Sequence, residues 1–479
     1  MVPDSMTHEP AYPAPHALRP PEDPGDPVAH AVARHARRFR PVRSQRRLLA
    51  LLGPAFVAAV AYVDPGNVAA NITAGARYGY LLVWVLVAAN AMAVLIQYQS
   101  AKLGIVTGQS LPQLLGGRMS RPQRLAYWAQ AEVVAAATDL AEVIGGAVAL
   151  HLLLGLPLLA GGLLVGAASM ALLALQERRS QRTFEGAVIA LLVVITIGFL
   201  GGLVVAPPDW GATLAGVLPR LEGSGSLLVA ASMLGATVMP HAIYLHSSLV
   251  RDHNRDASTD TSTDVASPSA TADGSPPGSG SSAGRAEETS ARAERTARLL
   301  RATRVDVVWA LVSAGAVNIA LLLLAASALS GARGTDTIEG AHRAITTTLG
   351  PAVGTVFAVG LLASGLASTS VGAYAGSEIM AGLLHLRVPL VLRRAVTLVP
   401  ALVVIAVGAE PTWALVLSQV VLSFGIPLAV VPLIRTTGSV QVMGRWRDGA
   451  VLRWSARAAA TLIIALNLAL VVLTLSGQA

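Results

Sequence analysis

Two stretches of the chain, FVAAVAYVDPGNVAANITAG at residues 56–75 and LGATVMPHAIYLHSSLV at residues 234–250, decide the fold. Each is apolar over most of its length and carries a proline near its middle, Pro65 or Pro240, beside polar side chains. Proline lacks an amide hydrogen and clashes with the preceding turn, so each helix is expected to break there. Hydrocarbon cannot satisfy the freed backbone groups, and such breaks persist where they line a cavity enclosed by protein. The two stretches therefore predict a pair of discontinuous helices around a polar site.

The composition of the whole chain is that of a membrane protein. Of its 479 residues, 53% are hydrophobic and only 13% are charged, whereas soluble domains carry roughly 25% charged residues. Long unbroken apolar runs are typical of spanning helices and not of the short alternating strands of a membrane β-barrel. The chain has no cysteine, which excludes disulfides, thiolate metal sites and iron–sulfur clusters. We therefore predict an all-α integral membrane protein.

Eleven apolar segments are each long enough for a spanning helix of about 20 residues. They lie at residues 48–76, 79–101, 126–153, 155–176, 185–206, 226–250, 305–330, 352–384, 390–408, 411–434 and 453–476. The proline breaks fall in the first and sixth segments, the same position in two groups of five. An odd repeat length gives the two halves opposite orientations, which is the pattern of an inverted-repeat transporter with its substrate site between the broken helices.

This pattern divides the chain into domains. Residues 1–47 are rich in Pro, His, Ala and Arg without an apolar core, which predicts a disordered cytoplasmic tail. The first five-helix repeat is predicted at 48–206, the second at 226–435, and the eleventh helix at 453–476. Residues 252–303 form a predicted flexible cytoplasmic insert of low complexity. The stretch RAEETSARAERTARLLRATR at its end has the spacing of a surface helix leading into the seventh span.

The basic residues orient the chain, because Arg and Lys concentrate in cytoplasmic loops. The predicted inner loops hold Lys102, Arg118, Arg121, Arg124, Arg178, Arg179, Arg182, Arg251, Arg255, Arg393, Arg394, Arg435, Arg445 and Arg447. The predicted outer loops hold only Arg77, Arg220, Arg333 and Arg343. This asymmetry predicts a multi-pass protein of the cytoplasmic membrane with its N-terminus inside and its C-terminus outside. The net charge of +8 is therefore explained by loop charge, and nucleic-acid binding is not expected because interleaved aromatics are missing.

The residues beside the two breaks predict a metal site. Asp64 is an ionisable group near mid-bilayer, which is costly unless it is paired or functional, and its natural partner is a cation from outside the chain. Asn67 follows one turn later, the breaks free the carbonyls of Ala61 and Ala236, and Met239 adds a thioether. Oxygen ligands alone would suit Ca²⁺ or Mg²⁺. The soft sulfur favours transition metals such as Mn²⁺, Fe²⁺, Co²⁺ or Cd²⁺.

A second set of ionisable residues predicts a proton path. Asp139 and Glu142 lie three apart on the third span, and Glu132 continues that face seven residues earlier. His241 follows the break in the sixth span, and His246 lies further along the same span. Rows of ionisable groups inside membrane helices mark proton relays, and histidine exchanges protons near neutral pH. The alternative is that these groups only hydrogen-bond neighbouring helices.

Several motifs resemble one known family. DPGN in the first span, GATVMPHAIYLHS in the sixth, ATDLAEVIGGAVAL in the third, QYQSAKLGI, RRAVTLVPAL and SQVVLSFGIPLAVVPL are similar to the Nramp (MntH-like) divalent metal transporters over about residues 48–435. The resemblance implies a LeuT-like, APC-type inverted 5+5 repeat of 11 transmembrane helices with helices 1 and 6 discontinuous. It also implies proton-coupled import of Mn²⁺ or Fe²⁺ by a protein, expected to be a monomer, that is not an enzyme and needs no cofactor.

The resemblance also assigns roles to residues that match the family motifs. The metal ligands it implies are Asp64, Asn67, Met239, the carbonyls of Ala61 and Ala236, and Gln419 in the occluded state. Asp64 takes part in both metal and proton transfer. Asp139, Glu142 and His241 pass the proton inward, and Arg393 or Arg394 pairs with these acids.

Departures from the family pattern leave other functions open. Ala242 stands where the family commonly has Asn, Leu366 where Gln is usual, and Ser377 with Glu378 where a Gln follows YAG. A Mg²⁺-carrying relative remains an alternative, although that branch lacks the sixth-span Met. A Na⁺-coupled organic-solute transporter is disfavoured because the first-span aspartate would repel a substrate carboxylate. An intramembrane metal-dependent enzyme is disfavoured because the chain has no HExxH motif.

Overall fold

A computed structural model describes residues 53–178, 181–263, 282–331, 334–335 and 337–475. Within these ranges the chain is almost entirely helical and contains no strand. The prediction of an all-α protein is therefore confirmed. The predicted tail at 1–47 and residues 264–281 of the predicted insert lie outside the described residues.

The helices of the first half begin after the predicted tail. In chain order they are α1 (Pro54–Val60), α2 (Pro65–Tyr78), α3 (Val83–Thr107), α4 (Leu111–Gly116), α5 (Arg121–Leu154), α6 (Leu158–Arg178), α7 (Gln181–Val205) and α8 (Trp210–Ala215). A short 3₁₀ turn, Ala61–Val63, continues α1 to the break.

The helices of the second half follow the same plan. In chain order they are α9 (Gly223–Thr237), α10 (Pro240–Thr263), α11 (Ser282–Ala328), α12 (Ile338–Leu349), α13 (Pro351–Leu384), α14 (Leu390–Ala406), α15 (Pro411–Thr437), α16 (Val440–Met443) and α17 (Ala450–Leu475). Helix α10 extends to Thr263 and α11 begins at Ser282, so helix occupies both described ends of the predicted insert. The domain boundaries themselves stay a prediction.

Eight helical segments of the described chain are long and apolar enough to cross a membrane. They are Val83–Thr107, Arg121–Leu154, Thr183–Val205, Gly223–Arg255, Thr289–Ala328, Pro351–Leu384, Trp413–Thr437 and Ala450–Ala469. Pro54–Val63 and Leu158–Ala174 are shorter apolar helices. The predicted membrane fold is confirmed, whereas the count of eleven spans stays a prediction.

Both predicted breaks are present. The first span stops at Val63, Asp64 has an extended backbone (φ −80°, ψ 166°), and α2 starts at Pro65. The sixth span stops at Thr237, Val238 leaves the helical region (φ −98°, ψ 87°), and α10 starts at Pro240. Proline fixes its own φ near the helical value and needs no amide hydrogen at the first helical position. Each proline therefore ends one half-helix and begins the next.

Packing of the long helices fixes the first break in the protein interior. Helix α5 packs along α13, and α11 packs against both α2 and α3. Gly145 of α5 lies directly against Pro65, where a methyl group would overlap the proline ring. Small residues at helix contacts are the usual means of close approach in membranes. The third span is thereby held against the start of α2.

Several basic residues counted as loop charge are instead buried inside helices. Lys102 lies in α3, Arg251 in α10, and both Arg393 and Arg394 lie in the first turns of α14. The expectation that these four occupy loops is therefore wrong. Their acidic partners, described below, account for their burial, since a buried charge requires a counter-charge or hydrogen bonds.

Candidate metal centre

Asp64 is the first residue around which the site is built. It caps the N-terminus of α2, where its Oδ1 accepts hydrogen bonds from the Asn67 backbone amide at 2.8 Å and from Asn67 Nδ2 at 2.6 Å. An aspartate in this position satisfies amides that the helix leaves without partners. The side chain is buried, and Oδ2 has no hydrogen-bond partner among the described residues. One carboxylate oxygen therefore holds the helix while the other is available to a ligand.

The two predicted carbonyl ligands have a common origin. Ala61 and Ala236 each lie four residues before a proline, Pro65 and Pro240. In a continuous helix each carbonyl would accept from the amide four residues later, but proline has no amide hydrogen. The Ala236 carbonyl instead accepts from Asn67 Nδ2 at 3.0 Å. Asn67 therefore bridges the two breaks, because its amide also contacts Asp64.

Met239 and Gln419 complete the predicted set. Met239 is fully buried, in the same apolar cluster as Ala61 and the rest of the 3₁₀ turn. Gln419 of α15 reaches Gly66, where a methyl group would overlap its Nε2 and lie 3.2 Å from Asp64 Oδ2. The Gln419 amide and the free oxygen of Asp64 therefore lie on the same side of the start of α2.

The predicted ligands are a mixed donor set with a single carboxylate, and the structure joins Asp64, Asn67 and the Ala236 carbonyl directly. No group of three or more His, Cys, Asp or Glu able to hold a metal occurs in the part of the chain that the structure describes. Carboxylate, amide and carbonyl oxygens are hard ligands, and a thioether is soft. A partly hydrated divalent transition metal fits this chemistry better than a structural zinc, which takes four Cys or His ligands.

The unwound turn is also held by residues that the sequence interpretation missed. Asn318 of α11 donates from Nδ2 to the Tyr62 carbonyl at 2.7 Å and accepts from Asn71 Nδ2 at 2.9 Å. Ser364 of α13 donates to the Val63 carbonyl. A lone Asn in an apolar span was a usable signal, because such a polar group needs a partner in the membrane. Ser364 gave no signal, since serine is common in packed membrane helices.

His246 belongs to a second polar chain around the first break. Its Nδ1 donates to Gln97 Oε1 at 2.8 Å, and Gln97 Nε2 donates to the Tyr62 hydroxyl at 2.8 Å. All three side chains are buried. The structure thus joins His246 to the unwound turn through Gln97, a residue that the sequence interpretation did not single out.

The two predicted arginines each pair with a different acid. Arg394 Nη1 lies 2.8 Å from Asp139 Oδ1, and Arg394 Nε donates to Ser169 Oγ at 3.0 Å. Arg393 Nη2 lies 2.6 Å from Glu132 Oε1. Arg394 is 0% exposed, so its pair with Asp139 lies in the protein interior. The sequence left open which arginine pairs with Asp139 and its neighbouring acids, and in the structure it is Arg394, whereas Arg393 pairs with Glu132.

Glu142 and His241 are buried, and neither has an oppositely charged partner within 4.0 Å among the described residues. Glu142 Oε1 accepts a hydrogen bond from Ser368, while Oε2 has no hydrogen-bond partner among the described residues. A methyl group on Gly372 would lie 3.4 Å from Glu142 Oε2 and 3.8 Å from Asp139 Oδ1, so both acids face α13 at this glycine. Neither ring nitrogen of His241 has a hydrogen-bond partner in the described ranges.

Charge pairing therefore divides the four acids predicted for the metal site and the proton path into two classes. Glu132 and Asp139 face arginines. Asp64 and Glu142 have no cationic partner within 4.0 Å among the described residues. A buried carboxylate without a counter-charge is stabilised by binding a cation or a proton.

Among the departures from the family pattern, Glu378 forms an ion pair that connects two helices. Glu378 of α13 forms an ion pair with Arg251 of α10, with Nη2 and Oε2 3.1 Å apart, and Asp252 lies 2.7 Å from the same arginine. Ala242 is fully buried next to His241. Leu366 is partly buried in α13. Neither Ala242 nor Leu366 removes one of the predicted metal ligands.

Known proteins provide an independent comparison. The sequence model of the natural resistance-associated macrophage protein-like family (Nramp) matches residues 55–473. The divalent metal cation transporter MntH of Mycobacterium tuberculosis is 53% identical over 427 residues, which are 89% of this chain and 92% of that protein. The MntH of Deinococcus radiodurans is 42% identical, with 94% and 96% covered. A solved structure of the Eremococcus coleocola manganese transporter, mutant H236A, superimposes with a TM-score of 0.75 at 29% identity, covering 90% of this chain and 87% of that one.

Proposed function

Because this chain belongs to the natural resistance-associated macrophage protein-like (Nramp) family and is a multi-pass membrane transporter of metal ions, we propose that it imports Mn²⁺ by proton-coupled alternating access. Fe²⁺, Co²⁺ and Cd²⁺ are further proposed substrates, because they tolerate the same mixture of oxygen and sulfur ligands. The names of the relatives, divalent metal cation transporter and manganese transporter, support this proposal. The family consists of transporters, so the enzyme alternative is excluded.

The observation that carries the proposal is the free Oδ2 of Asp64. It is buried, has no hydrogen-bond partner among the described residues, and shares the start of α2 with the Gln419 amide. In the proposed mechanism this oxygen binds the metal together with the Asn67 amide, the carbonyls of Ala61 and Ala236, and Met239, and the Gln419 amide joins them in the occluded state. Met239 also disfavours the Mg²⁺-carrying alternative, because magnesium prefers oxygen ligands.

Metal entry provides the reason for proton coupling. A dication beside one carboxylate leaves a local charge of +1, and losing a proton from the site lowers the electrostatic cost. We propose that the proton passes from Asp64 to Glu142, whose Oε2 has no hydrogen-bond partner among the described residues, and then along Asp139. The ion pairs of Arg394 with Asp139 and of Arg393 with Glu132 continue this path, with His241 and His246 flanking it.

The direction of transport follows from the membrane potential. Moving one positive charge inward is favoured by about 2.3 kcal/mol for every 100 mV of inside-negative potential. We propose that the chain lies in the cytoplasmic membrane with its N-terminus inside and its C-terminus outside, as the distribution of arginines predicts. It is proposed to act as a monomer without a cofactor.

Uptake of radioactive manganese into proteoliposomes tests the proposal. An inward proton gradient should accelerate uptake by the unaltered chain, and Asp64→Ala should abolish uptake. Asp209→Ala is the matched control, because Asp209 also caps a helix, α8, but is exposed and lies between spans. Uptake by Asp64→Ala at the unaltered rate would refute the site, and uptake indifferent to the proton gradient would refute the coupling.

A further inference from the structure

A basic cavity lies apart from the metal centre. It has a volume of about 330 Å³ and lies between the end of α3, the start of the membrane segment of α11 and the loop before α17. The charged and aromatic side chains that matter for its chemistry are Tyr98, Lys102, Arg301, Arg304, Arg445 and Arg447. Five of these six are cations, and nothing in the proposed transport cycle uses them.

The charges in this cavity are largely uncompensated. Lys102 is neutralised by Asp448, whose Oδ1 lies 2.7 Å from Nζ and whose Oδ2 accepts from Gln99 Nε2 at 2.7 Å. The four arginines have no acidic side chain within 4.0 Å in the part of the chain that the structure describes. Like charges that converge in this way repel one another unless an anion lies between them.

Aromatic rings hold two of these guanidinium groups in place. The Arg304 guanidinium lies over the Tyr98 ring at 5.3 Å, and the Arg445 guanidinium lies over the Trp446 ring at 5.0 Å. Such contacts position a cation without neutralising it. All four arginines are exposed at the mouth of the cavity. Two segments far apart in sequence, α11 and the loop before α17, bring their arginines to one cavity. The buried ion pair of Lys102 with Asp448 connects that loop to α3.

The cavity lies at the border of the apolar surface. Directly after Arg304, α11 exposes Val305, Val308 and Trp309. Directly after the loop, α17 exposes Val451 and Trp454. Large exposed apolar side chains on both helices are typical of a lipid-facing surface, and tryptophan is enriched at the headgroup level. Arginines that border such a surface are expected at the depth of lipid phosphates.

We propose that this cavity binds the phosphate group of an anionic phospholipid. Guanidinium groups bind phosphate through paired hydrogen bonds, and basic pockets between membrane helices suit lipid headgroups. The acyl chains would extend along the exposed apolar faces of α11 and α17. A bound phosphate would also join α11 to α3, the helices that hold the unwound turn through Asn318 and Gln97.

Native mass spectrometry of the purified full-length chain tests the proposal. Phosphatidylglycerol is the probe, and phosphatidylcholine with the same acyl chains is the comparison. Each arginine near a charged lipid surface contributes roughly fivefold to affinity, so Arg304→Gln with Arg447→Gln should weaken phosphatidylglycerol binding roughly 25-fold. The matched control is Arg118→Gln with Arg121→Gln, which removes two exposed arginines of the same predicted face away from the cavity.

The outcomes distinguish lipid binding in the cavity from general surface charge, from binding of free phosphate and from loss of folding. Equal loss in the test and control variants would refute the cavity as the site, since general surface charge would explain it. Displacement of phosphatidylglycerol by inorganic phosphate at equal concentration would refute the lipid assignment. Arg304→Lys with Arg447→Lys keeps the charge and checks folding, and it should recover binding only in part. An unchanged affinity in the Gln variant, with an unaltered melting temperature in detergent, would overturn the proposal.

Discussion

Gly66→Ala is expected to separate metal affinity from stability. Gly66 is the second residue of α2, directly opposite the Gln419 amide. A methyl group there would overlap Gln419 Nε2, lie 3.1 Å from Gln419 Cδ and 3.2 Å from Asp64 Oδ2. Gln419 is a flexible side chain, so it can rotate away and relieve the overlap. The helix itself tolerates alanine.

The size of the effect follows from what is displaced. Forcing the Gln419 side chain out of its preferred rotamer costs about 0.5–1.5 kcal/mol of folding stability. Replacing glycine by alanine stabilises the protein by about 0.4–1 kcal/mol, because the unfolded chain has fewer accessible conformations. The net change in stability should therefore be small. A hydrogen-bonding contact with a charged group contributes about 1.5–3 kcal/mol, which corresponds to a roughly 10- to 150-fold weaker Kd for Mn²⁺ once the amide leaves the site.

Isothermal titration calorimetry with Mn²⁺ and thermal unfolding in detergent measure the two effects. Gly201→Ala is the matched control, because a methyl group on Gly201 of α7 meets no atom within 4 Å. Gln419→Ala should weaken binding to a similar extent, and the double variant should be no worse than either single variant, since both remove the same ligand. Unchanged affinity in Gly66→Ala, or fully additive effects, would refute the proposed role of Gln419.

Three further predictions concern selectivity and stability. Met239→Ala should let Ca²⁺ compete with Mn²⁺ in uptake assays because it removes the soft ligand. Met233→Ala is the control and should leave Ca²⁺ excluded, because Met233 is buried in a different apolar cluster from Met239. Equal Ca²⁺ exclusion in the two variants would show that the Met239 sulfur does not determine selectivity. Arg394→Gln should destabilise the protein by about 3–5 kcal/mol by leaving Asp139 buried without its partner, measured by unfolding in detergent. Adding Asp139→Asn should restore most of that loss, and no recovery would contradict this account. Asn318→Ala should lower stability by about 1–3 kcal/mol by leaving buried polar groups unsatisfied, and an unchanged melting temperature would count against that role.

The sequence predicts the breaks well because their cause is local. Pro65 and Pro240 end their helices through chemistry that neighbouring residues cannot replace. Both breaks occur where the sequence places them, and each predicted apolar segment corresponds to a helix of the described chain. The helices flanking the ligands could therefore be identified without a structure, and Asp64 could be placed beside Asn67 because an aspartate at the start of a helix accepts from the amide three residues later.

Contacts between distant segments could not be predicted in this way. Arg393 and Arg394 are adjacent in sequence but point to different acids, Glu132 and Asp139, because successive helical residues face different directions. The sequence cannot show which direction meets which helix. The contact of Asn318 with the unwound turn likewise depends on how α11 packs against α2, which a single sequence does not determine.

The origin of two proposed ligands has a consequence for how such a site can evolve. The oxygens of Ala61 and Ala236 belong to the peptide backbone, so no substitution at those positions removes them. They are lost only if Pro65 or Pro240 is replaced, which would supply the missing amide hydrogen and close the helix. Apart from the two prolines, mutations can therefore change the proposed ligands only at the side chains of Asp64, Asn67, Met239 and Gln419. Two of the six proposed ligands therefore depend on the prolines that shape the backbone and not on the side chains at Ala61 and Ala236.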